Sequence, residues 1–255
     1  MERKLLIGIL QKLRLAGAAY QLKEFFYQLL RVDLIRATVA GVRYFYFVVI
    51  RRRLRTLEPA TGDIGINTVL HNRLRMKKFH ELAVTRSNLL LYPLSAIHIS
   101  RSVPVLCIGP RTEGELLNLL GLRFRNVRGL DLISYSPWVD CGDMHAMPYQ
   151  DDAFGAIIMG WCFAYSDNRR KAAQEAVRVS HHGAIIAVGV EYRKESSEEL
   201  SKKVGYQVPD EKRLESVTAI LELFSPHVDH VFFSQDLPSP PTDKCELLTL
   251  FSIKK

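Results

Sequence analysis

From residue 103 onward, short apolar runs of strand length alternate with stretches of helical periodicity, and this alternation restricts the fold more than any other feature. The runs are 103–108, 127–130, 156–160 and 184–190, and leucines at 116, 117, 119 and 120 mark a helix between the first two. Parallel strands need a long crossover between them, and a helix supplies it, so this order predicts a mostly parallel open sheet of the α/β class. Two later runs, 228–234 and 245–253, have no long helix between them and should close the sheet as an antiparallel hairpin after the stiff Leu237-Pro238-Ser239-Pro240-Pro241 loop. A chain of 255 residues accommodates one such domain and an extension.

The extension spans 1–100 and reads as basic, amphipathic and helical. Leu5, Leu6, Ile9, Leu10 and Leu13 share one helical face, and Leu22, Phe25, Phe26, Leu29 and Leu30 repeat the spacing. Ala37, Ala40, Tyr44 and Val48 extend the stripe as far as the Arg51–Arg53 run. In residues 1–55, twelve Lys or Arg stand against three acids, a balance of +9 that exceeds the whole chain's +8, so the remainder is close to neutral. Two readings stand side by side: a helical cap with its basic face in water, or an amphipathic helix lying on an anionic membrane surface. The Tyr44-Phe45-Tyr46-Phe47 run ahead of Arg51 favours the membrane. Nucleic acid ranks third, since basic residues interleaved with aromatics are the only signal for it. A transmembrane span over 32–50 is disfavoured by Asp33, Arg36 and Arg43. Residues 71–81 and the apolar 89–92 read as connecting helix with no nameable chemistry. Four cysteines without CxxC spacing, and no signal peptide, predict a reduced, cytoplasmic protein.

The chemistry-bearing features come in a fixed order. The apolar strand Val105-Leu106-Cys107-Ile108 runs into Gly109 and then a helix. The run Val127-Arg128-Gly129-Leu130 ends in Asp131, 22 residues after Gly109. Gly142-Asp143-Met144 precedes Met147-Pro148-Tyr149-Gln150-Asp151-Asp152-Ala153-Phe154 and the next strand. Glu175-Ala176-Val177-Arg178-Val179 leads through Ser180-His181-His182-Gly183 to another. In this order, residues 101–255 resemble the class I, Rossmann-like S-adenosylmethionine-dependent methyltransferases, of the type 11 kind.

That resemblance implies S-adenosylmethionine as cofactor and assigns roles. Gly109 would let the loop approach the methionine part, Asp131 would hold the ribose, Asp143 and the Met144 N–H would meet the adenine, and Trp161 would face cofactor and acceptor. The sequence departs from the family at the glycine-rich loop: Arg111 and Glu113 hold later glycine positions, and Cys107 replaces the strand-end acid. Gly114 would supply flexibility one step late, and Glu113 or Glu115 the missing carboxylate. The alternative is a methyltransferase-like binding or scaffold protein without turnover. Candidate bases are Glu191, His145 and Tyr165, with Glu191 preferred because it ends the fifth strand, on the ligand-binding edge. His181 and His182 precede that strand, at the sheet's opposite end, and read as a solvent-exposed turn. The span from Asp131 to Asp143 is too short for the usual crossover helix, leaving that side open or covered by the N-terminal helices. The expected acceptor is a small molecule, glycan or lipid-linked precursor, and no metal is expected, since in-line displacement of the methyl group rests on positioning.

Overall fold

The computed structural model describes residues 20–57, 72–204 and 214–255, together with Gly17 and Val69. The leucine face at residues 5–13 lies outside the described residues.

Seven strands form one sheet. They are β2 (Pro104–Ile108), β3 (Asn126–Asp131), β5 (Val139–Cys141), β6 (Phe154–Gly160), β7 (Ser180–Arg193), β8 (Val228–Gln235) and β9 (Lys244–Ile253). Their order is β5-β3-β2-β6-β7-β9-β8. β5 to β7 run parallel, and β9 lies antiparallel between β7 and β8. This is the mostly parallel, Rossmann-like sheet with a C-terminal antiparallel hairpin that the order of apolar runs predicted.

Alternate residues of the inner strands face opposite sides, and both sides are buried, as both-face coverage by helices requires. Leu106, Ile108, Ile157, Met159, Ile186 and Val188 pack with Phe163, Ala176 and Phe224. That face is covered by the helices Arg169–Val179 and Val217–Leu223. Val105, Cys107, Ala156, Ile158, Ile185 and Ala187 pack with Leu90, Leu94, Leu116 and Leu119 on the other. There the covering helices are Asn88–Ala96 and Gly114–Gly121. His181 and His182 lie inside the first residues of β7, so the expected turn is a strand end; Gly183 behind them takes φ +76.

The N-terminal segment supplies what the sheet lacks. β3 and β5 are parallel neighbours joined through residues 132–138 with no helix between them. Residues 20–29 are helical, followed by the helix Asp33–Tyr44 and a π-helical turn, Phe45–Ile50. Tyr44, Phe47, Val48 and Leu54 pack on Met76, Ile133 and Tyr135 beside that short connection. Strand β1 (Arg55–Thr56) pairs antiparallel with β4 (Ile133–Ser134). Leu30, Ala40 and Leu82 pack on Leu117 and Leu120. The 71–81 stretch is helical only over 72–75 and then a 3-10 turn, Phe79–Glu81. No helix among the described residues is long and apolar enough to cross a membrane.

Candidate functional site

The carboxyl ends of β2, β3, β5 and β6 form one edge, and the sequence-predicted residues gather there. The chain leaves β2 through Gly109 at φ +69. A Cβ at that position would stand 2.8 Å from the Cys162 Cβ, so only glycine lets the turn pass beside β6. Asp131 ends β3 and Cys141 lies beside it on β5. Asp143, two residues beyond β5, therefore stands on the same edge as Asp131.

Asp131 is buried and accepts from the Arg111 N–H at 2.7 Å and the Ile133 N–H at 3.1 Å. Burial pushes its carboxyl up to about 6, against the pull of those two N–H groups and the Arg111 charge. Asp143 accepts from the His145 N–H at 2.9 Å and pairs with His145 Nδ1 at 2.7 Å. That ring contact holds Asp143 below the usual carboxylate range and raises His145. His145 Nε2 lies 2.7 Å from Ser166 Oγ. Met144 is half-buried against the core.

The two candidate carboxylates of the loop have different fates. Glu113 is fully buried, but Arg43 donates to both its oxygens and the Ser136 hydroxyl donates to one. Its charge is spent on the N-terminal helix. A Cβ on Gly114 would stand 2.1 Å from the Leu82 carbonyl oxygen, so this glycine admits residues 82–83 against the loop. Glu115 is also buried, yet its Oε1 has no hydrogen-bond partner. Burial pushes it up to about 7, the Asp131 charge adding to this while the Cys107 thiol and Arg111 oppose it. Arg111, at φ +56, pairs with Glu81 at 3.2 Å, and its Nε is likewise buried without a partner. An orphaned acceptor and an orphaned donor thus lie within each other's field, beside Asp131.

Glu115 gives a stability prediction. Its folded-state pKa lies above the unfolded value, so its contribution is fully present below about pH 4.5 and is lost as pH rises through about 7. The loss is on the order of 3 kcal/mol. Glu115→Gln should therefore be more stable than the parent at pH 8 and close to it at pH 5 by urea unfolding; a pH-independent difference would contradict the buried, unpaired carboxyl.

The remaining candidates sit in a second cluster. Trp161 follows β6 at φ +61 and its Nε1 donates to Glu246 at 2.7 Å. The Arg86 guanidinium stacks 4.4 Å over its ring and donates to Glu191 and Glu246. Burial would raise Glu191, but Arg86 and Arg193 outweigh it and hold the carboxyl low. Tyr165 is exposed, within the field of Arg111. Glu191 and His145 thus belong to separate hydrogen-bonded groups. The sequence reading missed the strap over 79–87, which carries Glu81 to Arg111, Leu82 to Gly114 and Arg86 to Trp161. Its contacts join residues 105 and 160 positions apart, which no local pattern encodes.

Residues 106–188 match a family described as a methyltransferase domain. No curated protein matches the chain. Among solved structures, the (4+2)-cyclase SpnF is 14% identical with TM-score 0.52, covering 66% of this chain and 80% of its own. The N-methyltransferase NodS from Bradyrhizobium japonicum WM9, in complex with S-adenosylhomocysteine, is 13% identical with TM-score 0.51, covering 74% of this chain and 100% of its own. The Burkholderia thailandensis 1,6-didemethyltoxoflavin-N1-methyltransferase, with its substrate and S-adenosylhomocysteine bound, is 12% identical with TM-score 0.52, covering 79% of this chain and 95% of its own.

Proposed function

From a chain that carries a methyltransferase domain on the class I sheet, we infer transfer of a methyl group from S-adenosylmethionine to a small-molecule, glycan or lipid-linked acceptor in the cytoplasm or at a membrane surface. The observation that carries this reading is the buried pair of unpartnered polar atoms, Glu115 Oε1 and Arg111 Nε, beside Asp131. Most buried polar atoms in native proteins have partners; Arg101, Asn118 and Thr249 carry other unpartnered atoms, but only this acid and this base lie together beside Asp131, with charges that would complement the ammonium and carboxylate of a methionine moiety. Glu115 thereby takes the part of the acid missing from the β2 end, and Arg111 makes use of a position where the family has glycine.

When bound, the cofactor supplies a methyl group made electrophilic by its sulfonium. The chain's residues would position it: Asp131 would accept from the ribose hydroxyls and Asp143 from the adenine amino group, with the Met144 N–H meeting the ring. Trp161 would border the acceptor side. Displacement at the methyl rests on alignment, and a base serves only an acceptor that must lose a proton. Glu191, His145 and Tyr165 are the groups available, and Glu191 is the one kept ionised by its neighbours. Two of the structural relatives are named as N-methyltransferases, one with a small heterocycle bound, which supports the small-molecule class first.

The second reading, a binding or scaffold protein without turnover, is favoured by the Arg111–Glu81 ion pair and the Arg86 latch, which hold the strap across the sheet edge. A fold shared with a named cyclase also leaves the reaction to be argued from the site. Calorimetric titration with S-adenosylhomocysteine decides between them. Saturable binding, weakened about ten-fold by Glu115→Gln, is expected from loss of one charge-assisted contact. No heat and no thermal stabilisation would favour the scaffold.

A further inference from the structure

The helix Asp33–Tyr44 and its π-helical continuation, Phe45–Ile50, are apolar on two faces. One face is spoken for: Ala37 and Ala40 are buried, and Tyr44 and Val48 pack on the Ile133–Tyr135 cluster. The other face carries Leu34, Val42, Phe45, Tyr46, Val49 and Ile50, all exposed, with Leu34 at 68% and Ile50 at 59%. Their spacing of three, four and eight residues puts them in one stripe. An exposed contiguous apolar stripe beside charged residues marks an interface. The preceding helical residues 20–29 add Leu22, Phe25 and Phe26, also exposed.

Charge selects the occupant. From Leu34 to Leu57 the chain has six arginines and no acid, and Arg51, Arg52 and Arg53, all exposed, follow the apolar stripe directly. A second copy of this surface would bring the two arginine runs together, which opposes self-association. An anionic bilayer satisfies both parts: its interface takes aromatic and aliphatic side chains while its headgroups take guanidinium groups. We propose that the exposed stripe of residues 34–50, with Arg51–Arg53, is a docking surface for an anionic lipid membrane. The docked element is the one that holds the loop, since Arg43 on its buried side pairs with Glu113. The proposal names the membrane partner and stands independently of methyl transfer.

The test is co-sedimentation of the full chain with vesicles of phosphatidylcholine alone and of phosphatidylcholine with about one-third phosphatidylserine. Each basic residue at an anionic surface contributes about five-fold to partitioning. Binding should therefore require phosphatidylserine, fade as salt rises, and fall at least ten-fold in Arg51→Gln/Arg52→Gln/Arg53→Gln. Phe45→Ser/Ile50→Ser should lose binding even at low salt while keeping the parent's circular dichroism and S-adenosylhomocysteine response. If that double variant unfolds, the arginine variant, changed only at exposed positions, decides. Full-length protein left in the supernatant with anionic vesicles at low salt overturns the proposal. So does parent-like sedimentation of both variants, or a dimer in solution that Phe45→Ser/Ile50→Ser dissociates without any vesicle binding.

Discussion

Replacing Arg36 by methionine is expected to destabilise the protein by about 3–4 kcal/mol and to lower its melting temperature by roughly 10 °C. Arg36 is fully buried. Its Nε donates to the Ala83 carbonyl at 2.9 Å, its Nη1 to the Leu30 carbonyl at 2.9 Å, and its Nη2 to Asp33. The methionine fills much of the volume but leaves two buried carbonyls without donors, each costing about 1–3 kcal/mol. Asp33 is half exposed and recovers water, so it adds little. Because Ala83 belongs to the strap, the damage should reach the site: the variant's S-adenosylhomocysteine response should weaken along with its stability. Arg36→Lys should recover less than half of the loss, since an ammonium cannot reproduce the guanidinium fork. Denaturant unfolding of the three proteins checks this, and a methionine variant within 1 kcal/mol of the parent would contradict the assigned role.

Asp131→Ala is expected to raise the dissociation constant for S-adenosylhomocysteine about 10- to 150-fold, the equivalent of ~1.5–3 kcal/mol for hydrogen bonds to a charged acceptor. The change also frees the Arg111 and Ile133 N–H groups that the carboxylate holds. Asp131→Asn separates the two effects, because the amide oxygen can still accept from one of those N–H groups while the charge is gone. Binding should fall in both variants, and the loop's order should suffer mainly in the alanine. Parent-like affinity in Asp131→Ala would remove this residue from the ribose role. As burial holds this carboxyl near 6, binding that relies on its charge should also weaken as pH drops through that value.

The sheet was legible because buried parallel strands must be apolar on both faces, which leaves runs such as 156–160 and 184–190 standing out without any knowledge of partners. The acids on its carboxyl edge were legible for a similar reason: Asp131 and Asp143 follow their strands directly, so strand order alone brings them together. The loop between Gly109 and Glu115 was not. Glu113 and Glu115 are two residues apart and chemically alike, and only the position of Arg43, seventy residues earlier, decides which carboxylate is already paired. Gly114 read as a source of flexibility, whereas it is the close approach of Leu82 that excludes a side chain there. Arg36 reads in the sequence as a charge that disfavours a membrane span, and nothing in the periodicity distinguishes an arginine in water from one that donates to two buried carbonyls. Long-range pairing by long side chains is invisible to local patterns, and the strap is built from such pairs.

The missing crossover helix has a consequence for synthesis on the ribosome. Chains grow from the N-terminus at about 5–20 residues per second, so Tyr44 and Val48 are made roughly 5–20 s before Ile133 and Tyr135, the residues they cover, exist. In an ordinary βαβ crossover the helix meets its sheet within a few dozen residues of leaving the tunnel. Here the covering element comes first and must wait, apolar on two sides, through the making of β2, α-helical 114–121 and β3. For those seconds the face of the segment that packs on Ile133 and Tyr135 in the finished domain is left uncovered by its own fold.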